Sequence, residues 1–183
     1  MSDIAERRPA AAARHTRLSL WDFAYAVAMA VASLIAYWAM TFGLSHIVDR
    51  DSDFLGGMWA AVAAIFVFRD TQQGSLAAGL ARLIATGVSF ALCLPYFVLF
   101  PFTPVGMAAV LALGTIIMMV LGRREDILTT AITTVVVMVV AAISPKDAWL
   151  QPLLRLADTI IGVAIGVSFR WIVCPGLGGK QPR

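Results

Sequence analysis

Six long apolar runs, separated by short polar segments, dominate the sequence. Most of them approach the roughly 20 residues that a helix needs to cross the hydrocarbon core of a bilayer. The second run is short, and its helix must either tilt little or borrow residues from its flanks. The pattern predicts an all-α fold, a polytopic membrane bundle of about six transmembrane helices. The predicted helices cover residues 18–44, 54–68, 76–97, 104–121, 127–144 and 150–173.

The composition agrees with this pattern. Of the 183 residues, 60% are hydrophobic and only 14% are charged, and the mean hydropathy is +0.84. Soluble domains carry about a quarter charged residues, so these values indicate a membrane protein and exclude a disordered one. The first apolar run is longer than the apolar core of a signal peptide. We expect a basic tail over residues 1–17, a transmembrane domain over residues 18–175 and a second tail over residues 176–183.

Basic residues concentrate in alternate connections between the predicted helices. Nine of them fall in the two tails and in the second and fourth connections, whereas two fall on the opposite side. Cytoplasmic loops carry the excess of arginine and lysine, so both termini are predicted to be cytoplasmic. The formal net charge of +3 then reflects membrane orientation, and we expect no nucleic-acid partner. The nine residues are Arg7, Arg8, Arg14, Arg17, Arg69, Arg123, Arg124, Lys180 and Arg183.

A short motif occurs twice, once in the third predicted helix and once in the sixth. Residues 82–86 and 155–159 both read Arg-Leu-x-x-Thr. The two copies are three helices apart, and an odd number of spans reverses the direction of the chain. The sequence therefore predicts a 3+3 inverted repeat, an arrangement in which transporters place their pathway at the repeat interface.

Two stretches of the sequence resemble a known family of membrane proteins. The first covers residues 59–82 and contains RDTQQGS and AGLAR, and the second covers residues 152–166 and contains Arg155 and Asp158. Both resemble the aromatic acid exporter superfamily, also called fusaric acid resistance-like proteins. The resemblance extends over roughly residues 18–175.

This resemblance implies efflux of organic anions, such as aromatic carboxylates, across a bacterial inner membrane. The chain departs from the family in two respects: Ala85 stands where members often carry glycine before the motif threonine, and many members are far longer. The six-helix unit is also distantly similar to plant aluminium-activated malate channels. That similarity implies passive anion conduction as the alternative.

Arg82 and Arg155 are predicted to bind the substrate. An ionisable side chain within a span is costly and usually faces protein or a water-filled cavity, and a guanidinium offers a planar fork to a carboxylate. Each lies roughly 8–9 Å inside its predicted helix, Arg82 toward the cytoplasmic mouth and Arg155 toward the outer mouth. The alternative is that the side chains snorkel to the headgroups or form a structural pair.

Asp158 follows Arg155 by one helical turn. It either forms an internal ion pair with that arginine or binds the proton that couples transport to a proton gradient; Arg155 opposes protonation because it stabilises the charged carboxylate. The other predicted binding residues are threonines, whose hydroxyls either line a wet path or bond back to their own helix. They are Thr86, Thr159, Thr130 and Thr133.

The sequence carries no HExxH, GxSxG or P-loop motif, so we expect no enzyme, catalytic residue, metal or cofactor. Six helices are few to enclose a pathway, so a homo-oligomer is expected, and Gly162 and Gly166 form a GxxxG pair suited to a dimer seam. The predicted partners are the lipid bilayer, a small organic anion and further copies of the chain. Three functions remain open: an anion exporter, a passive anion channel and a non-transporting membrane subunit that scaffolds a partner.

Overall fold

The computed structural model describes residues 20–44, 50–69, 71–143 and 148–173. All regular structure in these ranges is helical, which confirms the predicted all-α fold. A 3-10 turn, Arg124–Asp126, precedes the fifth helix. The predicted tails, residues 1–17 and 176–183, lie outside the described residues, as does Asp70. The helices are α1 (Leu20–Leu44), α2 (Arg50–Val67), α3 (Gln72–Leu99), α4 (Pro104–Val120), α5 (Ile127–Ile143) and α6 (Leu150–Val173).

Two helices begin earlier than their apolar runs. The second and third helices start at Arg50 and Gln72, whereas the sequence predicts starts at residues 54 and 76. Thr71 explains the start of α3, because its Oγ1 accepts a hydrogen bond from the Gly74 amide at 3.0 Å and so caps the first turn. The extra turn in α2 supplies the length that its short apolar run lacks.

The outside of the bundle is apolar and its interior is partly polar. Phe23 and Leu128 are each 70% exposed, whereas Thr134 and Thr159 are fully buried. This distribution reverses that of a soluble protein and is typical of a chain surrounded by lipid. Four described segments are long and apolar enough to cross a membrane, so the chain is a multi-pass membrane protein. They are Asp22–Gly43, Gln72–Leu99, Arg124–Ile143 and Leu150–Ile172.

The packing of the helices follows the predicted repeat. On one side of the bundle, α1 packs on α2, and both pack on α6; on the other side, α4 packs on α5, and both pack on α3. Contacts of α3 with α6, α2 with α3 and α5 with α6 join the two sides. Exchanging α1, α2 and α3 with α4, α5 and α6 reproduces these pairs. The bundle therefore has the packing symmetry that a 3+3 inverted repeat requires.

The two Arg-Leu-x-x-Thr motifs meet where α3 crosses α6. The hydroxyl oxygens of Thr86 and Thr159 are 3.5 Å apart, and both side chains are buried. Each threonine is the counterpart of the other when the two motifs are aligned, so this contact lies where a pseudo-two-fold axis of the predicted repeat would pass. The crossing therefore brings the two motif arginines, one turn away on each helix, to opposite sides of the same point.

Aligning the motifs makes Ser89 the counterpart of Gly162. Gly162 lies directly against the backbone carbonyl of Ala60 in α2, and Gly166 packs on the next turn of that helix. Ser89 instead donates a hydrogen bond to the carbonyl of Thr130 in α5, at 3.2 Å. The GxxxG face is thus occupied by α2 of the same chain rather than by a second copy.

Side chains from three helices hold the connection between α2 and α3. The last carbonyls of a helix have no partner within it, and here the carbonyls of residues 67–69 each accept a hydrogen bond from a different helix. The connection is therefore fixed to α1, α3 and α6 at once. The donors are Ser75 Oγ of α3 at 2.7 Å, the Tyr25 hydroxyl of α1 at 3.2 Å and Arg170 Nε of α6 at 2.9 Å.

Candidate functional site

Arg155 lies inside the bundle between an acid and an aromatic ring. Its Nη1 donates to both carboxylate oxygens of Asp158, at 3.4 and 3.3 Å. Its guanidinium carbon lies 3.9 Å from the centroid of the Trp59 ring in α2, a cation–π contact. The Nε of Arg155 is buried and has no hydrogen-bond partner among the described residues. The ion pair thus engages one nitrogen at long distance and leaves the Nε–H without an acceptor.

Arg82 of α3 is buried against a second aromatic side chain of α2, that of Phe66. Its guanidinium carbon lies 4.5 Å from the centroid of the Phe66 ring, and only 7% of the residue is exposed. Within the described chain it makes no hydrogen bond or ion pair, and its Nε is buried. Because α3 begins at Gln72, Arg82 lies about 15 Å inside the helix, deeper than the sequence predicts. Neither Arg82 nor Arg155 extends to the surface of the bundle as snorkelling would require.

The motif threonines fill the space between the two arginines. The Thr159 hydroxyl lies 2.8 Å from the carbonyl oxygen of Arg155 and 3.1 Å from Oδ1 of Asp158. It is also the hydroxyl that Thr86 approaches at the crossing of α3 and α6. The structure thus brings together five of the predicted site residues, counting Arg82 one turn before Thr86.

The two copies of the Arg-Leu-x-x-Thr motif differ in the charge they bring to this site. Aligning the motifs places Ala85 where the other half has Asp158, so Arg155 has an acidic partner on its own helix and Arg82 has none. Two buried guanidinium groups therefore face one buried carboxylate. A buried charge is costly unless it is paired, so the centre of the bundle has an excess positive charge that favours an anion.

A small cavity adjoins Arg155 and Asp158. Its volume is about 30 Å³, and Trp59, Gln151 and Val137 contribute to its wall. A cavity of roughly 10–15 Å³ holds one water molecule, so this one accommodates one or two waters and is far too small for an aromatic acid.

A larger cavity, which we call the vestibule, lies at the opposite end of the bundle. Its volume is about 390 Å³. Ala78 and Ala81 in its wall are within one turn of Arg82, and long helical side chains lean toward the N-terminus, over that turn. Its other wall contains Arg123, which forms an ion pair with Asp126 at 2.7 Å. The lining residues are Arg69, Ala77, Ala78, Ala81, Gly122, Arg123, Glu125 and Asp126.

Two predicted site residues, Thr130 and Thr133, lie away from the arginine cavity. Thr130 Oγ1 donates back to the carbonyl of Asp126 in the preceding turn, at 3.0 Å. Thr133 Oγ1 is buried without a hydrogen-bond partner among the described residues. The part of α5 that lines the cavity consists instead of Val136, Val137 and Val140. For Thr130 the back-bonding alternative is therefore the one observed.

Comparison with known proteins identifies the family. The sequence model of the fusaric acid resistance protein-like family matches residues 44–169, more than two thirds of the chain. The chain belongs to this family. Members of the fusaric acid resistance protein-like family are membrane transporters rather than enzymes, which gives the chain a broad role in transport or resistance. No curated protein and no solved structure matched the chain.

Sequence reasoning missed the aromatic partners of the arginines. In this member of the fusaric acid resistance protein-like family, Trp59 and Phe66 are seven residues apart on α2 and so share one helical face. The two rings nevertheless contact arginines of two different helices, Phe66 with Arg82 of α3 and Trp59 with Arg155 of α6. Which neighbour they contact depends on the order of the helices in the bundle, which the spacing does not contain.

Proposed function

We propose that the chain exports small organic anions, such as aromatic carboxylates, across a bacterial inner membrane with both termini in the cytoplasm. The observation that supports this function is the excess of buried positive charge, with Arg82 and Arg155 facing the single carboxylate of Asp158. The family supplies the role in transport. Substrate, direction and a homo-oligomeric assembly are parts of the proposal.

The arginines act as anion ligands in a site with few competing waters. Arg82 has no acidic partner among the described residues, so a substrate carboxylate gains its full attraction. At Arg155 the substrate must compete with Asp158, whose long contacts at 3.3–3.4 Å make it a weak competitor. A hydrogen bond to a charged group contributes about 1.5–3 kcal/mol, equivalent to roughly 10–150-fold in affinity.

A carrier explains the cavities better than a passive channel. A channel needs a continuous wet path, whereas the cavity at Arg155 measures about 30 Å³. The alternative of a scaffolding subunit predicts no anion flux under any gradient. A channel predicts flux that follows only the electrochemical gradient of the anion, and a proton-coupled carrier predicts flux that also follows an imposed pH gradient.

The decisive experiment measures benzoate flux into proteoliposomes, with and without a pH gradient, for the wild type and the Arg82→Met variant. Methionine keeps an unbranched apolar stem and removes the charge. Because Arg82 has no ion pair in the described chain, the change leaves no acid without its partner. We expect at least a tenfold fall in kcat/KM. The control is Gln73→Met, which removes a polar side chain from the exposed first turn of α3, outside both cavities, and should leave flux unchanged.

Thermal unfolding in detergent separates loss of the site from loss of the fold. If Arg82→Met is folded and transports benzoate at the wild-type rate, the anion-binding role is wrong. If the wild type transports neither benzoate nor an aliphatic carboxylate, the chain is not an exporter of organic anions.

A further inference from the structure

The vestibule and the small cavity at Arg155 are related by the inverted repeat. Aligning the Arg-Leu-x-x-Thr motifs relates α3 to α6, and the equivalent contacts of Ser89 with Thr130 and of Gly162 with Ala60 relate α5 to α2. Under this alignment, lining residues of one cavity coincide with lining residues of the other. The counterparts are Gln151 and Ala78, Leu154 and Ala81, Leu55 and Glu125, and Gly56 and Asp126.

The two related cavities differ greatly in size. The vestibule measures about 390 Å³ and the cavity at Arg155 about 30 Å³. The first value falls within the range of about 300–1,000 Å³ that small-molecule sites occupy, and the second holds one or two waters. Equivalent regions of the two halves are thus wide at one end of the bundle and narrow at the other.

The wide cavity lies beside the helical turn that precedes Arg82, the arginine without an acidic partner in the described chain. Ala78 and Ala81 line it within one turn of Arg82. Two acids and two arginines also line it, and one arginine, Arg123, is paired with Asp126 at 2.7 Å. The wall, which does not itself include Arg82, is therefore close to neutral, and an anion in the vestibule would be attracted by Arg82, which lies within one turn of Ala78 on α3.

We propose that the vestibule is the anion-loading site, that it takes an organic monocarboxylate whose carboxylate contacts Arg82, and that the cavity at Arg155 is its counterpart in the alternate conformation. This inference rests on the proposed function. During transport the vestibule narrows while the Arg155 cavity widens, because the two halves exchange conformations about the contact of Thr86 with Thr159. The described structure is the conformation in which the vestibule is the wider of these two counterpart cavities.

Cysteine labelling tests the exchange at a counterpart pair of positions. Ala78→Cys in the vestibule and Gln151→Cys in the narrow cavity are made separately in a background in which both native cysteines are replaced (Cys93→Ala, Cys174→Ser). Each variant is placed in nanodiscs, where both faces are accessible, and treated with a polar thiol reagent. We expect the vestibule cysteine to react at least tenfold faster.

Benzoate is then added to both variants. We expect it to slow modification of Ala78→Cys and to accelerate modification of Gln151→Cys, and both effects should disappear when Arg82→Met is combined with either variant. A cysteine at the exposed position Gln73, which lines neither cavity, should react at the same rate throughout.

The outcomes separate this inference from the proposed function. If benzoate is transported but the labelling rates stay the same or change in the same direction, the alternating cavities are wrong while anion export stands. If benzoate is neither transported nor changes any rate, both proposals fail. Equal labelling rates of the two cysteines without benzoate also overturn the assignment of the conformation.

Discussion

Replacing Gly162 by alanine tests the close packing of α6 on α2. A Cβ at this position would overlap the carbonyl oxygen of Ala60 and lie 2.7 Å from the Cβ of Ala63. A rotamer change cannot relieve contacts with a backbone atom and a Cβ, so the two helices would have to separate. Overpacking of this kind costs about 1–3 kcal/mol.

Gly87→Ala in α3 is the matched control. A Cβ there has no neighbouring atom within 4 Å. Both substitutions replace a helical glycine with alanine, so the gain in helix propensity, up to about 1 kcal/mol, is common to both and cancels in the comparison. The difference of about 1–3 kcal/mol between the variants is therefore the cost of packing alone.

Thermal unfolding in detergent, followed by circular dichroism, measures this difference. At about 2–4 °C per kcal/mol for a chain of this size, Gly162→Ala should unfold roughly 2–12 °C below Gly87→Ala. The flux of Gly162→Ala should also fall, because separating α2 from α6 moves Trp59 away from Arg155. A midpoint for Gly162→Ala at or above that of Gly87→Ala would refute the contact between these helices.

Two further substitutions test buried polar groups. Asp158→Ala should destabilise the protein by about 3–5 kcal/mol in chemical denaturation, because it leaves Arg155 buried without its acid. Asp158→Asn should cost less. Equal stability of Asp158→Ala and the wild type would show that the ion pair is well solvated. Ser75→Ala should lower the free energy of unfolding by about 1–3 kcal/mol, because the Val67 carbonyl loses its hydrogen-bond donor at 2.7 Å. The control Ser33→Ala removes only a hydrogen bond to its own helix and should lower it far less. Equal losses of thermal stability in the two serine variants would contradict the tertiary role of Ser75.

Apolar runs alone predict six helices, and the structure contains them. The predicted starts are wrong where a helix begins in polar sequence: Thr71 caps α3 before two glutamines, and α2 begins at Arg50 next to acidic residues. Hydrophobicity cannot detect the first turn of α3, because a capping hydrogen bond rather than apolar burial makes it helical. A search for capping residues ahead of each apolar run identifies Thr71 and so the start of α3.

The sequence predicts those contacts of the site that form within a single helix. The pairing of Arg155 with Asp158 follows from their i, i+3 spacing on α6. The contacts of the arginines with Trp59 and Phe66 depend on α2 lying against α3 and α6, which the sequence pattern does not specify. Gly162 shows the same limit, since a GxxxG pair predicts close approach of a helix without identifying that helix.

The hydrogen-bonded connection between α2 and α3 restricts how the vestibule can close. Its carbonyls, at residues 67–69, receive donors from three helices, so swinging this corner would break buried bonds in several places at once. In the described chain, the hydrogen bonds of the opposite wall, the 3-10 turn Arg124–Asp126, join it only to residues nearby in sequence, such as the bond that Thr130 Oγ1 donates to the Asp126 carbonyl. If the vestibule narrows during transport, we therefore expect the turn that leads into α5 to move and the corner at Arg69 to stay in place.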